Sequence, residues 1–413
     1  MIGKSMKLNR DSAMVKALPW RKPIALHISG KRICLSDIRN YFRMMHHHKK
    51  KEYTEESEVM IKAIRTSCAY VGFFVFLLCI TSTKFYSYKY NVTWNQMANR
   101  KPDFRCIWSV VDNKTKCKPV CDHGYFGLYG MKTCHQWLNC TDIKSIKGFE
   151  KIQTDTIGYV KKVWISKWDG YEVVVKKIRQ NLNGPTSHDE FHNGVQFLQD
   201  FSNHPDVLQI VGHCNETLVT ELHAMADATN LEKHLRQNKE FDNVFVRFQL
   251  CIDFVRIMTT LHSGHGGKVF AHCDAGNVNI MLQQYLLTDD FRLVISDVDS
   301  LLGFDIRDGV SQKRMCPFKS DRNYFQPFNA PEQYFNHKLK TFPYDEKIDI
   351  WKIPNICDRL LYRNSIKREV LPHLTALHKR CKSSDPKGRP TALEVLKIYE
   401  YTYKILKNDS QIY

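Results

Sequence analysis

Between His272 and Leu282 the chain reads His-Cys-Asp-Ala-Gly-Asn-Val-Asn-Ile-Met-Leu, which sets Asp274 five positions ahead of Asn279. Moving a phosphoryl group onto a hydroxyl calls for a carboxylate near the acceptor proton and an oxygen donor that holds a divalent cation against the phosphates. One loop bearing Asp274 and Asn279 meets both needs. An Asp and an Asn at this spacing more often belong to a capped turn, so the reading depends on its surroundings. Downstream, the β-rich run Phe291 to Ser296 delivers Asp297-Val298-Asp299. Asp297 is the expected ligand of a magnesium ion, and Asp299 is either a second ligand or a turn residue. Upstream, Val173-Val174-Val175-Lys176 ends an apolar strand on a lysine suited to neutralise phosphate charge, with Lys177 as the alternative contact. Ile157-Gly158-Tyr159-Val160 fits the end of a loop that covers nucleotide phosphates, where Gly158 lets the backbone come close and Val160 follows it into the nucleotide site. Gln153 and Asp155 stand where further glycines of a G-x-G-x-x-G loop would fall, so this lid is bulkier and offers fewer free N–H groups.

These residues need elements to bring them together. Val160 to Val175 holds two β-rich runs joined by Lys-Trp-Asp-Gly, which predicts a hairpin. Phe191 to Phe201 has apolar residues at helical spacing. Val244, Phe248, Cys251, Val255, Met258 and Leu261 recur every three or four residues, which predicts a long amphipathic helix just ahead of the His272 loop. Strands first and helices after them give a two-part α+β domain over residues 144–405.

Later landmarks sharpen the fold. Ala330-Pro331-Glu332, Asp349-Ile350-Trp351 and Asp385-Pro386-Lys387-Gly388-Arg389-Pro390-Thr391 follow one another at the intervals of a protein kinase. Glu332 and Arg389 are expected to form a buried ion pair, and Asp349 to brace the His272 loop. The expectation is a bilobal protein-kinase-like fold using ATP with Mg2+ or Mn2+. One position departs from it. The helix that should supply a Glu partner for Lys176 carries Gly194 instead, which leaves Asp189 or Glu190 as substitutes from an adjacent turn.

The rest of the chain bears on where this domain works. Lys and Arg number 61 against 43 Asp and Glu, a formal charge of +18 spread over the whole length. No zinc-finger spacing or aromatic RNA-binding motif accompanies it, which argues against a nucleic-acid partner. Thr66 to Thr83 is an uncharged apolar run between Arg65 and Lys84. Its eighteen residues would rise about 27 Å as a helix, enough for a single membrane span. The basic segment 1–65 ahead of it is expected to be cytosolic and mostly without regular structure. The sequons at Asn91, Asn113, Asn139, Asn215 and Asn408 all follow the apolar run, with Asn113, Asn139 and Asn215 the candidates for modification. Eleven of fourteen cysteines also follow it, five of them within 106–140, so residues 84–143 are expected to form a disulfide-stapled luminal stem. A zinc site made of Cys117, Cys121, Cys134 and Cys140 is the weaker reading, because no Cys-x2-Cys pair is present. Residues 406–413 form a short tail.

From about residue 121 to 405 the chain resembles the protein O-mannose kinase family. The resemblance rests on Tyr344-Asp345-Glu346-Lys347-Ile348-Asp349-Ile350-Trp351-Lys352-Ile353-Pro354, on Gln284-Tyr285-Leu286-Leu287-Thr288, and on Met131-Lys132-x-Cys134-x-x-Trp137-Leu138-x-Cys140 in the stem. Gly194 in place of the helix Glu and an Asp-x-Asp in place of Asp-Phe-Gly look like family features. The resemblance implies a luminal type II enzyme of the endoplasmic reticulum membrane. Its implied reaction is phosphorylation of the 6-hydroxyl of O-linked mannose, within a GalNAc-GlcNAc-Man trisaccharide on α-dystroglycan. It further implies that Asp274 deprotonates the sugar hydroxyl, that Asn279 and Asp297 hold magnesium, and that Lys176 neutralises phosphate charge.

Overall fold

The computed structural model describes residues 25–28, 31–34, 103–151, 161–179, 185–272, 275–305, 328–333 and 345–409. The apolar run 66–83, the covering loop with Gly158 and Val160, and Asp274 itself lie outside them. Among the described residues no helix is long and apolar enough to cross a membrane.

The chain divides after Arg100 into two units. In the first, β1 (Ala25–Ile28) and β2 (Lys31–Cys34) pair as an antiparallel hairpin, in a segment where the residue pattern gave no reason to expect strands.

The second unit begins with the stem. Its strands β3 (Phe104–Ser109) and β4 (Lys114–Pro119) form a hairpin, and β5 (Tyr125–Phe126) pairs with β6 (His135–Gln136). A short helix α1 (Cys140–Ser145) follows, capped by the Asn139 side chain, which accepts from the Thr141 and Asp142 N–H groups. Three disulfides staple this region: Cys106–Cys117 across the hairpin, Cys121–Cys134 across the second loop, and Cys140–Cys214 into the sheet that follows. The sulfurs weighed as zinc ligands are therefore consumed in pairs.

That sheet has five strands in the order β10-β11-β9-β8-β7, with β7 at Lys147–Lys151, β8 at Lys161–Trp168, β9 at Tyr171–Ile178, β10 at Ile210–Cys214 and β11 at Thr217–Glu221. Every pairing is antiparallel. The predicted hairpin is β8–β9, turning at Asp169-Gly170, both at positive φ. Strand alternation sorts its side chains. Val173 and Val175 point to the face that Phe126, Leu128, Met131, Leu138, Ile143 and Ile146 of the stem cover as a small second core. The opposite face meets α2 (Pro185–Asp200), through Ile178 and the helix residues Phe191, Val195 and Leu198. The stem is thus half of the sandwich that buries the sheet.

Beyond Glu221 the unit is mainly helical. α3 (Leu231–Gln237) precedes α4 (Val244–Ser263), whose first turn is capped by Asn243. Phe248, Cys251, Val255, Met258 and Leu261 are all buried as their spacing required. β12 (Lys268–His272) pairs with β15 (Leu301–Asp305), and α5 (Val278–Gln283) leads into the β13 (Tyr285–Leu287) and β14 (Leu293–Ile295) pair. α6 (Lys347–Leu361), α7 (Asn364–Cys381) and α8 (Ala392–Asp409) complete the lobe, packing against α4. A five-stranded sheet with one helix, followed by a helical lobe with two small two-stranded sheets, is the expected protein-kinase-like arrangement.

Candidate active site

The loop that carries the catalytic motif is anchored on both sides. His272, fully buried, ends β12 with its N–H donating to Asp349 Oδ2 at 3.0 Å, while Lys352 Nζ donates to its carbonyl at 2.6 Å. The Tyr285 hydroxyl meets the His272 Nε2 at 3.1 Å. Burial alone would push the Asp349 carboxyl up, but Lys352, His272 and His262 hold it far below the ordinary carboxylate range. An ionised, enclosed Asp349 can therefore accept from the loop at all times. On the far side Ala275 is buried, and the Asn277 side chain caps α5 by accepting from the Ile280 N–H at 3.0 Å. Asp274 falls between these two anchors in the sequence and lies outside the described residues. Asn279 follows at the second position of α5, exposed.

The Glu332–Arg389 pair forms as expected, with the Arg389 Nη2 donating to Glu332 Oε2 at 2.8 Å. Arg389 also donates to the Lys347 carbonyl at 3.0 Å, which ties the pair to the start of α6. The helix that braces the catalytic loop is thus itself fixed by the late Arg-Pro segment.

The structure also brings Asp297, Asp299 and Lys176 together with a residue that the sequence did not single out. Lys161, in the first position of β8, reaches Asp297 Oδ1 at 2.8 Å and Asp299 Oδ2 at 2.6 Å. Register explains its presence there. Val163 lies opposite Lys176 and Lys161 opposite Ile178, so Lys161 and Lys176 share one face of the sheet. Lys177 falls on the other face and is exposed, which removes it as a contact on this side. The hairpin register gives Lys161 its face, but nothing in the sequence tied that face to Asp297 and Asp299.

The two lysines differ in charge state. Burial works against the Lys161 ammonium, but the two facing carboxylates outweigh it and raise its pKa. Lys176 feels the same burial and the adjacent Lys161 charge, and its pKa is pushed down to about 8 in spite of Asp297 and Asp299. The aspartates differ as well. Lys161 holds the Asp297 carboxyl below its usual range, whereas burial lifts that of Asp299. Asp297 is about half exposed (side chain 51%), and Asp299 is mostly covered at 13%.

Gly194 accounts for the position of Asp299. A Cβ added there would fall 2.1 Å from Asp299 Oδ1 and 3.0 Å from its Cα. The helix that usually offers a Glu instead leaves room for a carboxylate arriving from the other lobe. Asp299 is an acid paired with a sheet lysine, and that lysine is Lys161. Asp189 is exposed.

These donors suit a hard divalent cation. Asp297 is ionised, partly open, and bound to Lys161 through one oxygen only, and oxygen donors are what such ions select. Among the described residues no group of three His, Cys, Asp or Glu converges on a metal position. The sequon residues Asn113 and Asn215 occupy exposed turns at positive φ, and Asn139 caps α1. Asn91 lies outside the described residues.

Residues 146–357 match the sequence profile of the protein tyrosine and serine/threonine kinase family. Proteins named protein O-mannose kinase from Macaca fascicularis and Homo sapiens are each 33% identical to this chain over 302 residues, which is 70% of this chain and 82% of theirs. The Xenopus laevis protein of the same name is 32% identical over 305 residues, 71% of this chain and 83% of its own.

Proposed function

Because the chain belongs to the protein O-mannose kinase family and is a phosphotransferase, we propose that it transfers the terminal phosphoryl group of ATP to the 6-hydroxyl of O-linked mannose in a GalNAc-GlcNAc-Man trisaccharide on α-dystroglycan-type glycoproteins. The observation that supports this reading is the Lys161–Asp297–Asp299 group with Lys176 beside it on the same face of the sheet. It supplies fixed charges of both signs where phosphates and a cation must meet. Asp274, which falls in the sequence between buried His272 and buried Ala275, takes the proton of the sugar hydroxyl. Lys161 and Lys176 orient the phosphates and offset their charge. Gly158 and Val160 belong to the cover over the nucleotide. A magnesium or manganese ion held by Asp297 and Asn279 supplies charge neutralisation between the phosphates when bound. Asp299 positions Lys161.

The protein acts on its glycoprotein substrate from the luminal side of the endoplasmic reticulum membrane, anchored by a single span at residues 66–83 with the N-terminus cytosolic. Three disulfides in the second unit support an oxidising compartment. A glycosidase-shift gel on protein made in cells tests this orientation: loss of sugar from Asn113, Asn139 or Asn215 should speed migration, and an unmodified protein would argue for the opposite topology.

The decisive assay incubates the purified full chain with magnesium-ATP and the trisaccharide, a mannose methyl glycoside, or a Ser/Thr peptide. The trisaccharide should be phosphorylated at the mannose 6-position. Asp274→Ala and Lys161→Ala should each lose at least about a hundredfold in kcat/KM. Transfer to the peptide alone would overturn the assignment.

A further inference from the structure

The chain leaves the sheet at Glu221, the last residue of β11, and enters the helical lobe ahead of α3, so the angle of that exit sets how the two parts face each other. Register places the exit beside the nucleotide site. Leu218 stands opposite Lys176 and Thr220 opposite Val174, which puts Thr220 on the Lys176 face, about 8 Å away by strand spacing. The Thr220 Oγ1 is buried with no hydrogen-bond partner, a polar group left for a ligand on the face that meets the phosphates. Glu221, one residue on and paired with Val173, points to the opposite face, which the stem covers.

The stem grips Glu221 from that side. Lys118 of β4 forms an ion pair with Glu221 Oε2, and only 11% and 6% of the two side chains are exposed. The other carboxylate oxygen accepts from the Gln209 N–H at 3.1 Å. The Gln209 side chain meets the stem in turn, donating to the Gly127 carbonyl at 2.8 Å and accepting from the Gly127 N–H at 3.2 Å. Burial would push the Glu221 carboxyl up, but Lys118 and His223 keep it far below its ordinary range, so it stays charged. Two residues earlier on the same face of β4, Lys116 Nζ donates to Asp289 in the β13–β14 turn at 2.9 Å. One strand of the stem therefore holds the end of the sheet and a turn of the helical lobe at once.

A buried ion pair is a poor source of stability, since apolar groups of similar volume often do as well, but it fixes geometry. An exit held at one angle keeps the surface around Thr220 ready for the base of a nucleotide whose phosphates lie at Lys176. We infer that Lys118 is a positioning residue for the nucleotide, acting through Glu221 from outside the cleft, so that the stem sets the affinity for ATP. The inference rests on the proposed reaction only in taking ATP as the donor.

Titration calorimetry of the full chain with magnesium-ATP tests it. The variant Lys118→Met with Glu221→Gln removes both charges together and keeps an oxygen for the Gln209 N–H. Its dissociation constant should rise about tenfold, whereas Lys118→Arg should stay within about threefold of the unaltered chain. In steady-state kinetics the double variant should raise KM for ATP alike and leave KM for the trisaccharide within about twofold. A pair that serves stability alone would lower the melting temperature and leave the dissociation constant of the folded protein unmoved. That result, or an equal rise in both KM values, overturns the inference. Should the double variant not fold, Glu221→Gln alone decides: weaker magnesium-ATP binding upholds the role of Lys118, and unchanged binding overturns it. If the unaltered chain binds magnesium-ATP and phosphorylates no sugar, the proposed function fails while calorimetry still decides for Lys118.

Discussion

Lys161 and Lys176 sit on one face of the same hairpin, yet their surroundings give them different jobs. Lys161 is locked to two carboxylates and stays charged at any working pH. Lys176 makes no ion pair among the described residues, and its pKa is pushed down to about 8. Bound phosphates would raise that value again, so nucleotide binding above pH 8 must take up a proton. The dissociation constant for magnesium-ATP is therefore expected to climb above pH 8, by up to tenfold per unit, and to level off once the bound form also titrates. Titration calorimetry at several pH values checks this, and Lys176→Met should bind more weakly at pH 7 with the slope removed. Thermal stability of the free protein should move the other way. Between pH 8 and the ordinary lysine range the unfolded chain holds the proton that folded Lys176 has released, so this group adds stability as pH rises through that window.

At the scale of the element, two packing decisions position the chemistry. α2 approaches Asp299 only because residue 194 has no side chain, and a Cβ 2.1 Å from a carboxylate oxygen cannot be absorbed by a rotamer change while the Asp299 Cα is also close. Gly194→Ala should push the helix away and loosen the Lys161–Asp299 pair. The expected result is a fall of at least tenfold in kcat/KM with melting lowered by only a few degrees, measured by steady-state kinetics and a thermal scan. Gly194→Glu, which restores the usual helix acid, should do worse, because the added carboxylate lands where Asp299 already stands. α6 makes the second decision. It supplies both Asp349 and Lys352, each with a side chain fully enclosed. Asp349→Ala leaves the buried Lys352 charge unanswered and should cost about 3–5 kcal/mol of stability. Chemical denaturation would register it before any activity assay does.

Across the second unit the stem acts as structure rather than as a leash. Its apolar residues bury one side of the sheet, and Cys140–Cys214 closes a separation of 74 residues between stem and β10. A link of that span stabilises by about 4 kcal/mol if loop entropy dominates. The variant Cys140→Ser with Cys214→Ser is expected to melt about 5–15 °C lower, and truncation before Lys147 should yield insoluble protein. Unaltered melting in a scan under non-reducing conditions would show that the stem is dispensable. The hairpin also spans past the sheet: Ser109 Oγ donates to Asp289 Oδ2 at 2.9 Å, and Lys116 Nζ to the same carboxylate at 2.9 Å. One appended segment therefore touches the sheet and the β13–β14 turn together.

Read alone, the sequence determined what depends on local order. Periodicity placed α4 and the β8–β9 hairpin, and the order of His272, Asp297, Glu332, Asp349 and Arg389 specified the kinase-like lobe, because each of those landmarks works through neighbours a few residues away or through one obligatory partner. The Glu332–Arg389 pair was legible for that reason. Lys161 was not, nor was Asp299 as its acid, nor the pairing of Cys140 with Cys214. Each joins residues far apart in the chain, and each depends on how closely two packed surfaces approach: the register of a hairpin, the missing Cβ at Gly194, the fit of stem on sheet. A glycine in a helix signals only a lost side chain until the group that fills its space is known. Which lysine meets which aspartate was settled by packing, since a charge of either sign buried without a partner would have cost more than any strand or helix preference could return.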